Sequence, residues 1–227
     1  EPIVIDGHEL TVSTSIGTVD AATAGADPDR LMRAADITLY QAKERRKGGW
    51  LRYDPQRTEH EVTRHTLATA IPSALARGEF FLEYQPLIGL DSGGVRGVEA
   101  LVRWRHRRLG VLPPERFVTL AEQTGHIVAL GRWVLTEACR QASDWYQRFP
   151  ATKLCLNVNV AVDQLGDPEF ATDVMSALGE GGLPAEFLRL ELTESALLGD
   201  SRRCLDVLDE LASAGIGLVI DDFGDGY

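Results

Sequence analysis

The sequence predicts an α/β protein in two unequal parts: a short α+β stretch, then a longer unit built on a mainly parallel sheet. Three observations predict it. From residue 80 onward an opening hairpin gives way to strand-like and helix-like segments that simply alternate. The length of 227 residues is roughly one and a half domains at about 150 residues each. With 44% hydrophobic and 25% charged residues, the composition is that of a folded protein, and it excludes disordered, collagen-like and disulfide-scaffold classes.

The elements follow in order. Residues 9–17 (ELTVSTSIG) place Leu10, Val12, Thr14 and Ile16 on one face, the period of a strand. Asp27-Pro28 is a helix start, and Leu31, Ala35, Leu39 and Ala42 continue at helical spacing. Arg45, Arg46 and Lys47 before Gly48-Gly49 suit a helix end, where cations meet the dipole and glycine the cap. One strand and one helix cannot close a core. Residues 1–53 therefore read as the tail of a domain, in keeping with a chain that opens at Glu1. The polar stretch 54–65 reads as a linker, and 66–79 as a short helix leading into the second unit, 66–227.

In that unit, residues 80–90 and 95–105 read as strands joined by the turn Asp91-Ser92-Gly93-Gly94. Helices follow at about 114–124 and 128–148, the second with Val134, Ala138, Ala142 and Trp145 on one stripe. Strand 153–160, helix 168–179, strand 187–193, helix 201–214 and strand 216–222 complete the alternation. It implies a parallel sheet, either doubly wound or a (β/α) barrel.

The net charge of −11 argues against binding long nucleic acid, which needs a basic face. It leaves room for a small phosphorylated ligand held through metal ions. Seven of those charges lie in residues 181–227, where ten acids face three bases. Cys139, Cys155 and Cys204 form no C-x-x-C pair and read as reduced, apolar fillers in a cytoplasmic setting. No apolar run approaches the roughly 18 residues of a membrane span, and no signal peptide is visible.

Polar residues collect toward the C-terminal ends of successive strands: Glu99, Asn159, Glu191 with Glu194, and Asp221 with Asp222. That rim carries the chemistry in α/β barrels, and open sheets bind ligands beyond the same strand ends. Oxygen donors without His or Cys suit Mg²⁺, Mn²⁺ or Ca²⁺ rather than zinc. The adjacent Asp221-Asp222 could bridge two ions, an arrangement that serves phosphoester hydrolysis. Alternation along 95–105 places Glu99, Leu101 and Arg103 on one face, a carboxylate and a cation side by side for a metal and a phosphate oxygen. Bland readings compete. An acid after a strand is also a common helix N-cap. Trp133 and Trp145 read as core, His106 and His126 as structural. Asn157 and Asn159 are both candidates on spacing.

Glu99-Ala100-Leu101, inside VEALVRWRH, resembles the signature of the EAL domain, the cyclic di-GMP phosphodiesterase family. Further motifs follow in the family's order from about residue 66 to the end: YQP at 84–86, LGVLPPERFVTLAEQTGHI at 109–127, VNV at 158–160, ELTES at 191–195 and DDFGDGY at 221–227. The resemblance implies a (β/α)₈ barrel with an antiparallel first strand, of which about five of eight strands lie in this chain. It implies metal-dependent hydrolysis of cyclic di-GMP to pGpG in bacterial signalling. By motif, Glu99, Asn159, Glu191, Asp221 and Asp222 correspond to ligands of a two-metal Mg²⁺ or Mn²⁺ site. Asn159 is preferred over Asn157 because it holds the place of the asparagine in the family's V-N-[LV]-S motif, although Ala161 replaces the usual serine. Gln85, Leu101 and Arg103 fall at substrate-binding positions. Glu194 corresponds to the glutamate that organises the loop after the fifth strand, here Phe223 to Tyr227, with Asp225 where a small residue is usual.

The family's general-base lysine and a further glutamate come from later strands and are absent from this chain. The resemblance therefore implies a fragment with little activity inside an active, homodimeric parent. A catalytically degenerate EAL domain acting as a cyclic di-GMP receptor is the alternative. A glycosidase-type barrel with paired carboxylates would leave the ordered motifs unaccounted for. The first segment also resembles a family. VSTSIG at 12–17 and ADITLYQAKERRKGG at 35–49 are similar to the C-terminal end of a GGDEF (diguanylate cyclase) domain, with Lys43 and Lys47 at phosphate-contacting positions. This segment reads as cytoplasmic, in a parent open to membrane anchoring by segments not present here.

Overall fold

The computed structural model describes residues 3–5, 8–10, 13–45, 48–149, 154–194, 202–221 and 224. The chain divides into two compact units, residues 1–66 and 67–227.

In the first unit, β1 (Ile3–Ile5) and β2 (His8–Leu10) form an antiparallel pair. The strand expected over 9–17 is thus divided between β2 and a separate strand, β3 (Ile16–Thr18). After the short helix α1 (Ala21–Ala24), capped by Asp20 on the Thr23 amide at 2.8 Å, comes α2 (Pro28–Arg45). Then β4 (Trp50–Arg52) returns parallel to β3, so α2 is the crossover that a parallel pair requires. Gly17 is dictated by this packing. A Cβ there would stand 2.4 Å from the Leu39 amide nitrogen on α2.

Helix α3 (Pro55–Ala76) is continuous, so the polar stretch 54–65 is helical and joined to the helix expected over 66–79 rather than separate from it. Asp54 accepts from the Gln56 amide at 3.0 Å, and Pro55 occupies the first turn. This is the same Asp-Pro start recognised at Asp27-Pro28. It was hidden at 54–55 because the first turns of α3 carry mostly polar residues and little apolar periodicity.

The second unit is a sheet in the order β10-β9-β8-β6-β5: Gly217–Asp221, Leu188–Thr193, Cys155–Asn159, Val95–His106 and Phe80–Ile88. A short β7 (Gly110–Leu112) pairs with β6. The hairpin β5–β6 is antiparallel; β6, β8, β9 and β10 run parallel. Helices α4 (Val118–Gln123) and α5 (Ile127–Arg148) connect β6 to β8. Helices α6 (Val162–Leu165) and α7 (Phe170–Gly181) connect β8 to β9, and α8 (Arg202–Ser213) connects β9 to β10.

The core lies between the sheet and these helices. Leu156, Val158, Leu188, Leu190 and Leu192 face it with at most 1% of their surface exposed, packed with Leu135, Ala138, Val174 and Leu211. A second apolar cluster joins the later turns of α3, the hairpin and the start of α5. There Trp104, fully buried, stacks near Phe80 and Phe117 at ring-centroid distances of 5.1 and 5.8 Å. Its indole N–H donates to Glu79 at 3.1 Å, and Glu79 also pairs with Arg77 and Arg107. Among the described residues no helix is long and apolar enough to cross a membrane.

Candidate active site at the C-terminal ends of the strands

The site lies on the sheet face opposite the helices. The helix-facing residues of β8 and β9 are apolar. The alternate positions, Cys155, Asn157 and Asn159 on β8 and Arg189, Glu191 and Thr193 on β9, carry polar groups. Strand register aligns them across the sheet. Gln85 pairs with Glu99, Glu99 with Asn157, Asn159 with Glu191, and Thr193 with Asp221. Paired residues of neighbouring strands share a face, so Glu99, Asn159, Glu191 and Asp221 step along one face toward the strand ends.

Hydrogen bonds join three of them. Asn159 Nδ2 donates to Glu99 Oε1 at 2.7 Å, and Asn157 Nδ2 donates to Glu191 Oε1 at 2.5 Å. Glu191 is half-buried, and that burial pushes its carboxyl above the ordinary value. The Asn157 bond pulls it back, while the charges of Glu99 and Asp221 push it further up. Asp221, at the end of β10, is exposed. Asp222 lies outside the described residues, as do Lys47 and the loop residues Phe223 and Asp225–Tyr227. Glu194 reaches the one described residue of that loop: its Oε2 accepts from the Gly224 amide at 2.9 Å.

Arg103 lies on the Glu99 face of β6, as its period requires. Its Nε donates to Glu83 Oε2 at 2.8 Å and one terminal nitrogen donates to the Val102 carbonyl at 3.0 Å. Gln85 is exposed and Leu101 half-buried on that same face. Sequence reading had missed Glu83, whose nearness to Arg103 follows only from the hairpin register, in which Glu83 pairs with Leu101. It had also set Asn157 aside. His106 is structural: its Nδ1 accepts from the amides of Arg108 and Leu109.

A cleft of about 680 Å³ reaches these strand ends from the helix side of the sheet, with Asn159, Glu191, Thr193, Glu122 and Gln164 at its polar part and apolar walls that include Val102, Leu130 and Val134. Gly131 on α5 makes room for Gln164. A Cβ there would stand 2.1 Å from its amide nitrogen, and Gln164 Oε1 in turn accepts from the Ala161 N–H at 3.0 Å. Burial, and secondarily the charge of Asp163, push the Glu122 carboxyl up.

The donor chemistry fits a hard divalent cation. Carboxylates and a carboxamide on adjacent strands supply oxygen alone, and the mutual repulsion at Glu191 is what a cation would relieve. Among the described residues, no three His, Cys, Asp or Glu side chains stand close enough together to hold one ion. The two glutamates are engaged by asparagine amides instead.

The EAL domain model matches residues 68–227. The chain belongs to the EAL domain family. Over its full length it is 36% identical to the bifunctional diguanylate cyclase/cyclic di-GMP phosphodiesterase MucR of Pseudomonas aeruginosa, covering 33% of that protein. It is 35% identical to the cyclic di-GMP phosphodiesterase NbdA of the same organism, again over the whole chain and covering 29% of it. The solved PaMucR phosphodiesterase, in complex with cyclic di-GMP, superposes with a TM-score of 0.67 at 40% identity, covering 71% of this chain and 65% of that one. The chain thus spans about a third of the length of these curated EAL relatives.

Proposed function

We propose that residues 67–227 form part of a module that hydrolyses cyclic di-GMP to pGpG with the help of two Mg²⁺ or Mn²⁺ ions. What carries this reading is the linked row Glu99–Asn159–Glu191 at the strand ends of an EAL domain, of which Asn159 and Glu191 line a cleft of small-molecule size. Glu99, Asn159, Glu191, Asp221 and Asp222 would hold the ions. Bound there, such ions supply a water of lowered pKa and a sink for the charge on the leaving oxygen. Arg103 contributes a guanidinium for a phosphate oxygen, and Leu101 and Gln85 border the same face. Glu194, which accepts from the Gly224 amide, would organise the loop after the fifth strand. Residues 1–53 are read as the end of a GGDEF domain, with 54–65 as the connection and the EAL part beginning near residue 66. The surrounding protein is cytoplasmic at this segment and homodimeric through its EAL domains. The lysine and glutamate implied by the resemblance fall outside this sequence, so the chain by itself turns cyclic di-GMP over slowly or not at all.

The test is calorimetric titration of the chain with cyclic di-GMP in the presence of Mn²⁺ or of EDTA, alongside an assay of pGpG by the longer natural protein. Binding that needs the metal and is lost in Glu99→Ala, with turnover by the longer protein, is the expected outcome. Binding without turnover in that protein would favour the receptor alternative. No binding at all would sink both.

A further inference from the structure

We infer that Asn157 is a positioning residue whose amide holds the Glu191 carboxylate in place for a divalent cation. The inference rests on the reading of Glu191 as a metal ligand given under Proposed function. Asn157 is 96% buried, being only 4% exposed, and it lies between the apolar Leu156 and Val158 on the sheet face that carries the site. Its Nδ2 stands 2.5 Å from Glu191 Oε1. Its Oδ1 is buried with no hydrogen-bond partner. A buried acceptor left open is a penalty that an apolar or smaller residue would avoid. The asparagine is therefore explained by what its donor does.

The two asparagines of β8 divide the work. Asn159 turns to Glu99 on β6, and Asn157 turns to Glu191 on β9. Donors thus stand against one oxygen of each of two carboxylates that repel one another across β8. With Oε1 of Glu191 engaged by Asn157, Oε2 is the oxygen left for a cation. Partners of this kind, one step behind a metal ligand, typically change metal affinity by about 10–100-fold when removed.

The experiment is Mn²⁺ titration of the 227-residue chain followed by electron paramagnetic resonance, with thermal melting in EDTA as the folding control. Asn157→Ala is expected to bind Mn²⁺ about tenfold more weakly than the unaltered chain or worse. Val158→Ala, equally buried but on the helix face, is expected to lose stability and keep its affinity within about twofold. Should Asn157→Ala fail to fold, Asn157→Ser, whose hydroxyl is too short to span to Glu191, takes its place. Unchanged affinity in the Asn157 variant overturns the inference, as does an equal loss in Val158→Ala. If the unaltered chain takes up no Mn²⁺, that failure belongs to the functional reading. A metal-free double-mutant cycle of Asn157→Ala with Glu191→Ala then decides. Non-additive stability losses support the pairing, and additive losses overturn it.

Discussion

The two faces of strands β8 and β9 are chemically opposite. Toward the helices, Leu156, Val158, Leu188, Leu190 and Leu192 are sealed from solvent. On the other face, one residue along in each case, Asn157, Asn159, Arg189, Glu191 and Thr193 carry hydrogen-bonding or charged groups. The lesson is that a strand of five or six residues can hold a domain together with one half of its side chains and leave the other half free for chemistry. Stability and function are then separable at a spacing of one residue.

The largest effects should show that separation directly. Leu190→Ala, in a fully buried position, should cost about 2–5 kcal/mol of stability, read as a shift in the urea midpoint. Glu191→Gln, its neighbour, should leave the midpoint unchanged or slightly raised at neutral pH. Its amide oxygen still accepts from Asn157, and the charge that burial disfavours is gone. Cyclic di-GMP binding supported by Mn²⁺ should nevertheless fall at least about tenfold in the calorimeter. If Glu191→Gln unfolds the unit, or Leu190→Ala abolishes binding while remaining folded, the division of labour between the faces is wrong.

A smaller effect tests the far end of the hairpin, which is built for stability alone. Glu79 accepts from Arg77 and from the Trp104 indole, and these bonds hold its carboxyl down from 4.5 to about 2. A lowered carboxyl stabilises the fold above its unfolded value and loses that contribution as pH falls toward the folded value. Glu79→Gln should therefore be less stable than the unaltered chain at pH 7, with the gap closing between about pH 4.5 and 2. Because Arg77 and Arg107 are largely exposed, the gap at neutral pH should be no more than about 1 kcal/mol. A gap that stays constant with pH would show that packing against Trp104, rather than charge, carries the effect.

Much of this was legible in the sequence, and the reasons are specific. The hairpin and the alternation of strands and helices stand out because their apolar periods differ. The faces of β6 follow from a period of two, which by itself sets Glu99, Leu101 and Arg103 together. Three- and four-residue elements such as β4, β7 and α6 are too short to show a period at all. The first turns of α3 were read as a linker because their face is polar, even though Asp54-Pro55 marks the start. Asn157 and Asn159 could not be told apart by spacing, since residues two apart share a face. Register sets Asn157 beside Glu99 and Asn159 beside Glu191, and only the side-chain hydrogen bonds, which cross that register, show that Asn157 serves Glu191 and Asn159 serves Glu99.

The smallest expected effect concerns Glu83, where the hairpin brings a carboxylate onto the site face. Glu83 fixes the Arg103 guanidinium through Nε, while the Val102 carbonyl holds it from the other side. The carboxylate thus orients the arginine and at the same time opposes an incoming phosphate with a negative charge. Glu83→Gln keeps an acceptor for Nε and removes the charge. Glu83 is half exposed, so the pair is worth only about 0.2–1 kcal/mol, and binding of cyclic di-GMP should tighten by no more than about fivefold. The gain should shrink at high salt, where the charge of Glu83 is already screened. Weaker binding in Glu83→Gln at every salt concentration would mean that the charge itself, and not the acceptor, keeps Arg103 in place. The site face would then depend on its ion pairs for order much as the helix face depends on its leucines.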